Sequence, residues 1–147
     1  MNELLYLKDD QIKEFIEKLF IAYRESFSDT KKTLNKHSLG MAHHKVIHLL
    51  SMYDGITISE LLKKLKITKQ SLNRVIKDLN KIKCIFFEKG KKDSRLKHIY
   101  LTDIGQKLFN EVFLIQKKRI YKALLKSDSK EVLHFNNVIK RIINEEI

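Results

Sequence analysis

Apolar residues recur at helical spacing over most of the chain. Ile12, Phe15, Ile16, Leu19, Phe20, Tyr23 and Phe27 follow Asp9-Asp10 with gaps of three and four, so a helix of more than four turns is expected. Residues 28–37, SDTKKTLNKH, are polar and interrupt the pattern. A second helix is expected from near Ser38, turning Val46, Ile47, Leu49 and Leu50 inward and ending at Asp54-Gly55, where glycine supplies a left-handed stop. Ile56-Thr57-Ile58 is long enough only for a β-bridge.

Thr57 and Glu60 stand as N-cap and N3 of a capping box, with Ile56 placed to staple onto Leu61. The helix they open buries Ile58, Leu61, Leu62 and Leu65 and turns Lys63, Lys64 and Lys66 outward. Thr68 caps the next helix, with Ile67 and Leu72 as its staple and Leu72, Val75, Ile76, Leu79 and Ile82 as its apolar stripe. Ile85–Glu88 and His98–Leu101 are rich in aromatic and β-branched residues and predict two strands. The segment KGKKDSRLK joins them, with Gly90 available for a tight turn. Thr102-Asp103 then opens a long helix through Ile104, Leu108, Val112, Ile115, Tyr121 and Leu124. After a break at residues 126–129, Asp128 and Glu131 cap a last helix carrying Val132, Phe135, Val138, Ile139, Ile142 and Ile143.

The expected fold is mainly α with a small β-wing, a winged helix-turn-helix. Its order is helix–helix–strand–helix–helix–strand–wing–strand–helix–helix. Residues 1–147 are read as a single domain, with 38–101 as the winged helix and 1–37 and 102–147 as helical flanks. The flanks carry more apolar surface than a compact winged helix of about 65 residues could cover.

Charge adds a location to this layout. Between Ile56 and Leu101 there are 13 Lys/Arg against four Asp/Glu, so most of the formal charge of +12 falls in 46 of the 147 residues. A local basic excess predicts a polyanion-binding face rather than general solubility. The face of the second short helix opposite its apolar stripe offers Lys69, Gln70, Asn73, Arg74, Lys77 and Lys81, and Thr68 and Ser71 at its start are expected to meet bases or adjacent phosphates with them. Arg matches guanine O6/N7, Asn and Gln match adenine N6/N7, and Lys meets phosphate. In the hairpin tip, Lys89, Lys91, Lys92, Arg95 and Lys97 suit the backbone, and an arginine suits a narrow minor groove. Asp93 would repel DNA, so its expected role is to hold Arg95 or a turn amide.

Other chemistry is sparse. His43, His44 and His48 share one helix, with His44 and His48 at i, i+4, a spacing that permits chelation. Three readings are open for them: a metal or haem site, the lining of an effector pocket, and plain packing. Cys84, the single cysteine, excludes an internal disulfide framework and fits a reducing cytoplasm; it reads as a small structural residue rather than a redox sensor. No apolar run is long enough for a membrane span and no secretion signal is expected. Glycine-rich phosphate loops, nucleophile elbows and paired carboxylates are missing, so an enzyme and a resident cofactor are not expected.

ITISELLKKLKITKQSLNRVIKDL, followed by Asp93-Ser94-Arg95 and a strand ending Leu101-Thr102-Asp103-Ile104-Gly105, resembles the MarR family of winged-helix regulators. The motif-level match spans roughly residues 38–109. The resemblance implies a homodimer whose terminal helices interdigitate, a palindromic double-stranded operator, and a cleft for a small-molecule effector bordered by the second helix. Half-sites would then lie about 34 Å apart, one turn of duplex. Cys84 stands where the family commonly has Gly, and Ser94 replaces the first Arg of a frequent Asp-Arg-Arg triplet. The expected function is sequence-specific DNA binding by a regulator, a repressor answering a ligand. The alternatives are a protein-interaction module that keeps the winged helix, and a metal- or haem-responsive regulator.

Overall fold

Thr57, Thr68 and Thr102 each start a helix by the same device, a hydroxyl accepting the N–H three residues on. The bonds are Glu60 N–H at 3.2 Å, Ser71 N–H at 3.1 Å and Gly105 N–H at 3.1 Å. These caps mark the starts of three helices in the computed structural model, which describes residues 4–144. Residues 1–3 and 145–147, the outer ends of the two flanks, lie outside the described residues.

A 3-10 turn at Leu5–Leu7 precedes α1 (Asp9–Ser28), α2 (Lys31–Lys36), α3 (Met41–Met52), β1 (Ile56–Thr57), α4 (Ile58–Leu65) and α5 (Lys69–Lys81). Then come β2 (Ile85–Lys89), β3 (Lys97–Leu101), α6 (Asp103–Leu125) and α7 (Ser129–Asn144). The strands form one antiparallel sheet in the order β1-β3-β2, with Ile56 opposite Ile99 and Phe87 opposite Ile99 from the other side. β2 and β3 form the wing.

The sequence-based layout holds in its order and differs locally. Residues 28–37 contain the helix α2, because Leu34 and Thr33 are buried there. A single apolar residue in six gives no periodicity to detect. The following helix starts at Met41 rather than near Ser38, since Ser38 takes a left-handed φ of 57° and Gly40 is the N-cap. It stops at Met52, three residues before Gly55, whose φ of 77° serves the entry to β1 instead. Ile82 is the C-cap of α5 rather than part of its buried stripe. Gly90 has no positive φ; a Cβ there would lie 2.5 Å from the Asp93 carbonyl, so close backbone approach, not handedness, requires it.

After α5 the chain turns through Lys83, at φ 60°. Lys83 N–H bonds Asn80 O and Cys84 N–H bonds Leu79 O, both at 3.0 Å, the double bond pattern of a Schellman stop. Cys84 is buried at the position that packs back on Leu79, which explains a small apolar side chain there. Its carbonyl accepts Thr102 N–H at 2.9 Å, and the Thr102 hydroxyl donates to Lys83 O. α6 therefore starts hard against the end of α5. At Gly105 a Cβ would sit 2.0 Å from the Cys84 carbonyl oxygen, so no side chain fits.

The buried core joins Leu34, Val46, Ile47, Leu50, Ile56, Leu61, Leu72, Leu79, Ile85, Ile99, Leu108 and Val112. It draws on every element from α2 to the first half of α6. Neither α1 nor α7 contributes a buried residue. The last helix does have its full capping box, with Glu131 N–H on Asp128 Oδ1 at 2.8 Å and Asp128 N–H on Glu131 Oε2 at 3.2 Å.

Gly105→Ala should lower unfolding free energy by about 2–3 kcal/mol, the upper range for an overpacked site. Urea denaturation measures this, and a loss below about 0.5 kcal/mol would mean that α6 is not held against the Cys84 carbonyl.

Candidate nucleic-acid interface

The helix-turn-helix is α4 and α5, joined through Lys66, which adopts a left-handed φ of 52° at the end of α4. Leu72, Val75, Ile76 and Leu79 seat α5 on the core, so its other face must meet solvent. Lys69, Gln70, Ser71, Asn73, Arg74 and Lys77 are all exposed on it. Thr68 is exposed too, but its hydroxyl both accepts Ser71 N–H and donates to Ser71 Oγ at 2.8 Å, so it is committed to the cap.

The wing presents Lys91, Lys92, Arg95 and Lys97, again all exposed. Asp93 Oδ1 accepts both Arg95 N–H at 3.0 Å and Arg95 Nε at 3.1 Å, and Oδ2 accepts Nη2 at 3.1 Å. These bonds, side chain first and backbone second, hold the Asp93 carboxyl below the usual carboxylate range. The fork orients the guanidinium of Arg95 while leaving it 89% exposed. The tip is tied by Gly90 N–H to Leu96 O at 2.9 Å and Leu96 N–H to Asp93 O at 3.1 Å. Phe86 stacks on Tyr100 at 5.2 Å and stiffens the ribbon behind it.

The three histidines of α3 take separate partners. His43 accepts Gly40 N–H at Nδ1 (3.0 Å) and meets Asp78 Oδ2 at Nε2 (2.9 Å). His48 meets Phe109 edge to face, with ring centroids 6.2 Å apart. His44 is buried against Phe27, with ring centroids 5.1 Å apart, and its Nδ1 lies 3.4 Å from Thr30 Oγ1. The Thr30 hydroxyl already donates to Phe27 O at 2.8 Å, so His44 Nδ1 is the donor in that contact. Among the described residues no group of three His, Cys, Asp or Glu is arranged to hold a metal ion, and no helix is long and apolar enough to cross a membrane.

Of these histidines, only His44 lines the apolar cavity of about 340 Å³ between α1, α2 and α3. Tyr23, Phe27, Leu34, Leu39 and Met41 give it an apolar wall, bordered by Arg24 and Lys31. The Tyr23 hydroxyl donates to Met41 Sδ at 3.2 Å. The sequence pattern nominated the three histidines for a pocket, of which His44 lines this cavity; the rest of the wall was not foreseen because it comes from three elements, one of them the undetected α2. Sequence reasoning also missed Asp78, the partner of His43, for which an isolated acid on a basic helix was the available signal.

The architecture is that of a winged helix-turn-helix, and comparison with known proteins narrows it. A model of the MarR family matches residues 37–96. The HTH-type transcriptional regulator PetP of Rhodobacter capsulatus is 34% identical over 141 residues, covering 96% of this chain and 85% of PetP. The chain belongs to the MarR family of transcriptional regulators, which are not enzymes. Among solved structures, Staphylococcus aureus MarR in complex with salicylate and kanamycin superposes with a TM-score of 0.74 at 22% identity, covering 95% of this chain and 96% of that one. The S. aureus MepR–DNA complex gives 0.68 at 18%, covering 86% and 95%. Both likenesses concern the fold.

Burial, and secondarily the charge of His48, pushes the His44 pKa from 6.5 down to about 4. The unfolded chain therefore binds a proton at a pH where the folded one does not, and folding stability falls as pH drops from about 6.5 to about 4. The full loss is of order 3 kcal/mol. Urea midpoints at pH 7 and pH 4.5 should differ more for the unaltered protein than for His44→Phe; equal differences would remove His44 as the cause.

Proposed function

We propose that the chain is a homodimeric, sequence-specific double-stranded DNA-binding regulator acting in the cytoplasm as a ligand-relieved repressor. The observation that carries this reading is the pair of exposed basic surfaces, α5 and the wing, with Arg95 held in a fixed orientation by Asp93. Gln70, Asn73 and Arg74 would meet base edges, with Ser71 and Lys69 beside them. Thr68 would serve as the helix cap that sets this register. Lys77, Lys91, Lys92 and Lys97 would neutralise phosphates, and Arg95 would enter the minor groove. That MepR and E. coli MarR have been solved with DNA supports the assignment.

Residues 38–101 would form the reading part, and 1–37 with 102–147 the dimer part. Ile16 and Phe20 on α1, Leu114, Tyr121 and Leu125 on α6, and Phe135, Ile142 and Ile143 on α7 are more than half exposed in one protomer. So much apolar surface on three helices fits an obligate interface. Two-fold symmetry would present two copies of α5 to a palindromic operator. The cavity walled by Tyr23, Phe27 and His44 has the size and apolar lining of a small-molecule site, with Arg24 and Lys31 suited to an anionic substituent. That a structural relative binds salicylate supports an aromatic acid as the class of effector.

A gel shift with the DNA upstream of its own gene, against random competitor, tests the central claim. Arg95→Ala should weaken binding about tenfold or more, as loss of a charge-assisted contact would. Unchanged affinity would reject the wing assignment. Asn73→Ala or Arg74→Ala should relax sequence preference more than Lys91→Ala does.

Phe20→Asp combined with Ile142→Asp should convert the dimer to monomer in analytical ultracentrifugation and abolish operator binding at concentrations that saturate the unaltered protein. A dimer that survives both charges would place the interface elsewhere.

A further inference from the structure

Asp78 is the one acid on α5, whose other charges are Lys69, Arg74, Lys77 and Lys81. A loose carboxylate one turn beyond Arg74 would repel the phosphates that these cations are placed to meet. It is not loose. Asp78 Oδ2 lies 2.9 Å from His43 Nε2, while Nδ1 of the same ring accepts Gly40 N–H at 3.0 Å. With Nδ1 an acceptor, the ring proton lies on Nε2, and His43 donates to Asp78. One imidazole thus braces the first turn of α3 against the recognition helix.

The rest of the seat under α5 is apolar: Leu72, Val75, Ile76 and Leu79 pack on the core. The packing of these four side chains limits the rotation of α5 about its axis, but the hydrophobic effect behind it is non-directional and names no single angle. Base readout needs more. A side-chain tip about 6 Å from the axis moves about 2 Å when the helix turns by about 20°, beyond the tolerance of a hydrogen bond. The His43–Asp78 bond is directional and adds a constraint on that angle to the one the packing supplies.

We propose that His43 is a positioning residue for sequence reading. It holds α5 at the setting in which Asn73 and Arg74 reach base edges, and it draws the helix's carboxylate away from the phosphates. The proposal rests on the DNA-binding reading above and adds to it a determinant outside both contact surfaces.

The competing role for His43 is local, a cap on α3 through Gly40 alone. Two substitutions separate them, because His carries its two nitrogens at different reach. The carbonyl of His43→Asn falls near Nδ1, keeping the Gly40 bond and losing Asp78. The amide of His43→Gln falls near Nε2, keeping Asp78 and losing Gly40. The probe is the strongest site that the unaltered protein selects from a random double-stranded oligonucleotide pool. Fluorescence anisotropy gives the ratio of its affinity to that for random DNA of equal length, and urea denaturation gives stability.

His43→Asn should lower the specificity ratio about tenfold or more, with the affinity for random DNA and the urea midpoint close to those of the unaltered protein. His43→Gln should keep the ratio within about threefold, even with a lower midpoint. Asp78→Ala, at a half-exposed position, should also lower the ratio while raising affinity for random DNA. The reverse pattern, with Asn silent and Gln merely destabilising, assigns His43 to capping and overturns the proposal. A ratio that rises in Asp78→Ala overturns it as well. Failure of the unaltered protein to enrich any site overturns the DNA-binding reading itself, and this inference with it.

Discussion

The buried core runs out at Val112, halfway along α6, and the arrangement of the whole chain follows from that limit. Everything from α2 to Val112 closes on itself around Leu50, Leu61, Leu79 and Ile99. Beyond it, α1, the second half of α6 and α7 keep helical apolar stripes with little to cover them. Within the chain, polar ties join the end of α1 to α6: Arg119 to Asp29 at 2.6 Å and to Glu25, and Gln116 to Ser26. Such ties orient helices without supplying much net stability at a solvated site. Apolar stripes of this extent gain their free energy only on contact with more apolar surface.

Two of the acidic groups near the basic surfaces are held in similar ways. Asp93 is forked by Arg95, and Asp78 is held by His43. Each carboxylate orders a neighbouring cation or helix in place of repelling a polyanion. The basic excess of residues 56–101 therefore meets solvent with these two of its four acids already engaged.

Most of the layout was legible in the sequence because it rests on local signals. Thr57, Thr68 and Thr102 mark helix starts by hydroxyl capping, and the 3.6-residue stripes of α4 and α5 show which face is buried. What escaped depends on contacts distant in sequence. Leu34 is helical because the core receives it, and Gly90 is required by a carbonyl three residues on. The left-handed turns at Ser38, Lys66 and Lys83 occupy residues with no special preference for them. Residues on α5 and the wing could be nominated from charge and periodicity alone. The bond between His43 and Asp78 spans 35 residues and could not.

Gly105 has a mechanical consequence. With no room for a side chain between α6 and the Cys84 carbonyl, the junction of wing and helix offers no slack. The 23 residues of α6 then form a rigid arm, about 34 Å long at a rise of ~1.5 Å per residue. Turning such an arm by about 5° at its far end displaces its near end by about 3 Å, roughly the length of a hydrogen bond. Small rearrangements among the terminal helices would thus arrive at the wing magnified, as displacements of several ångströms.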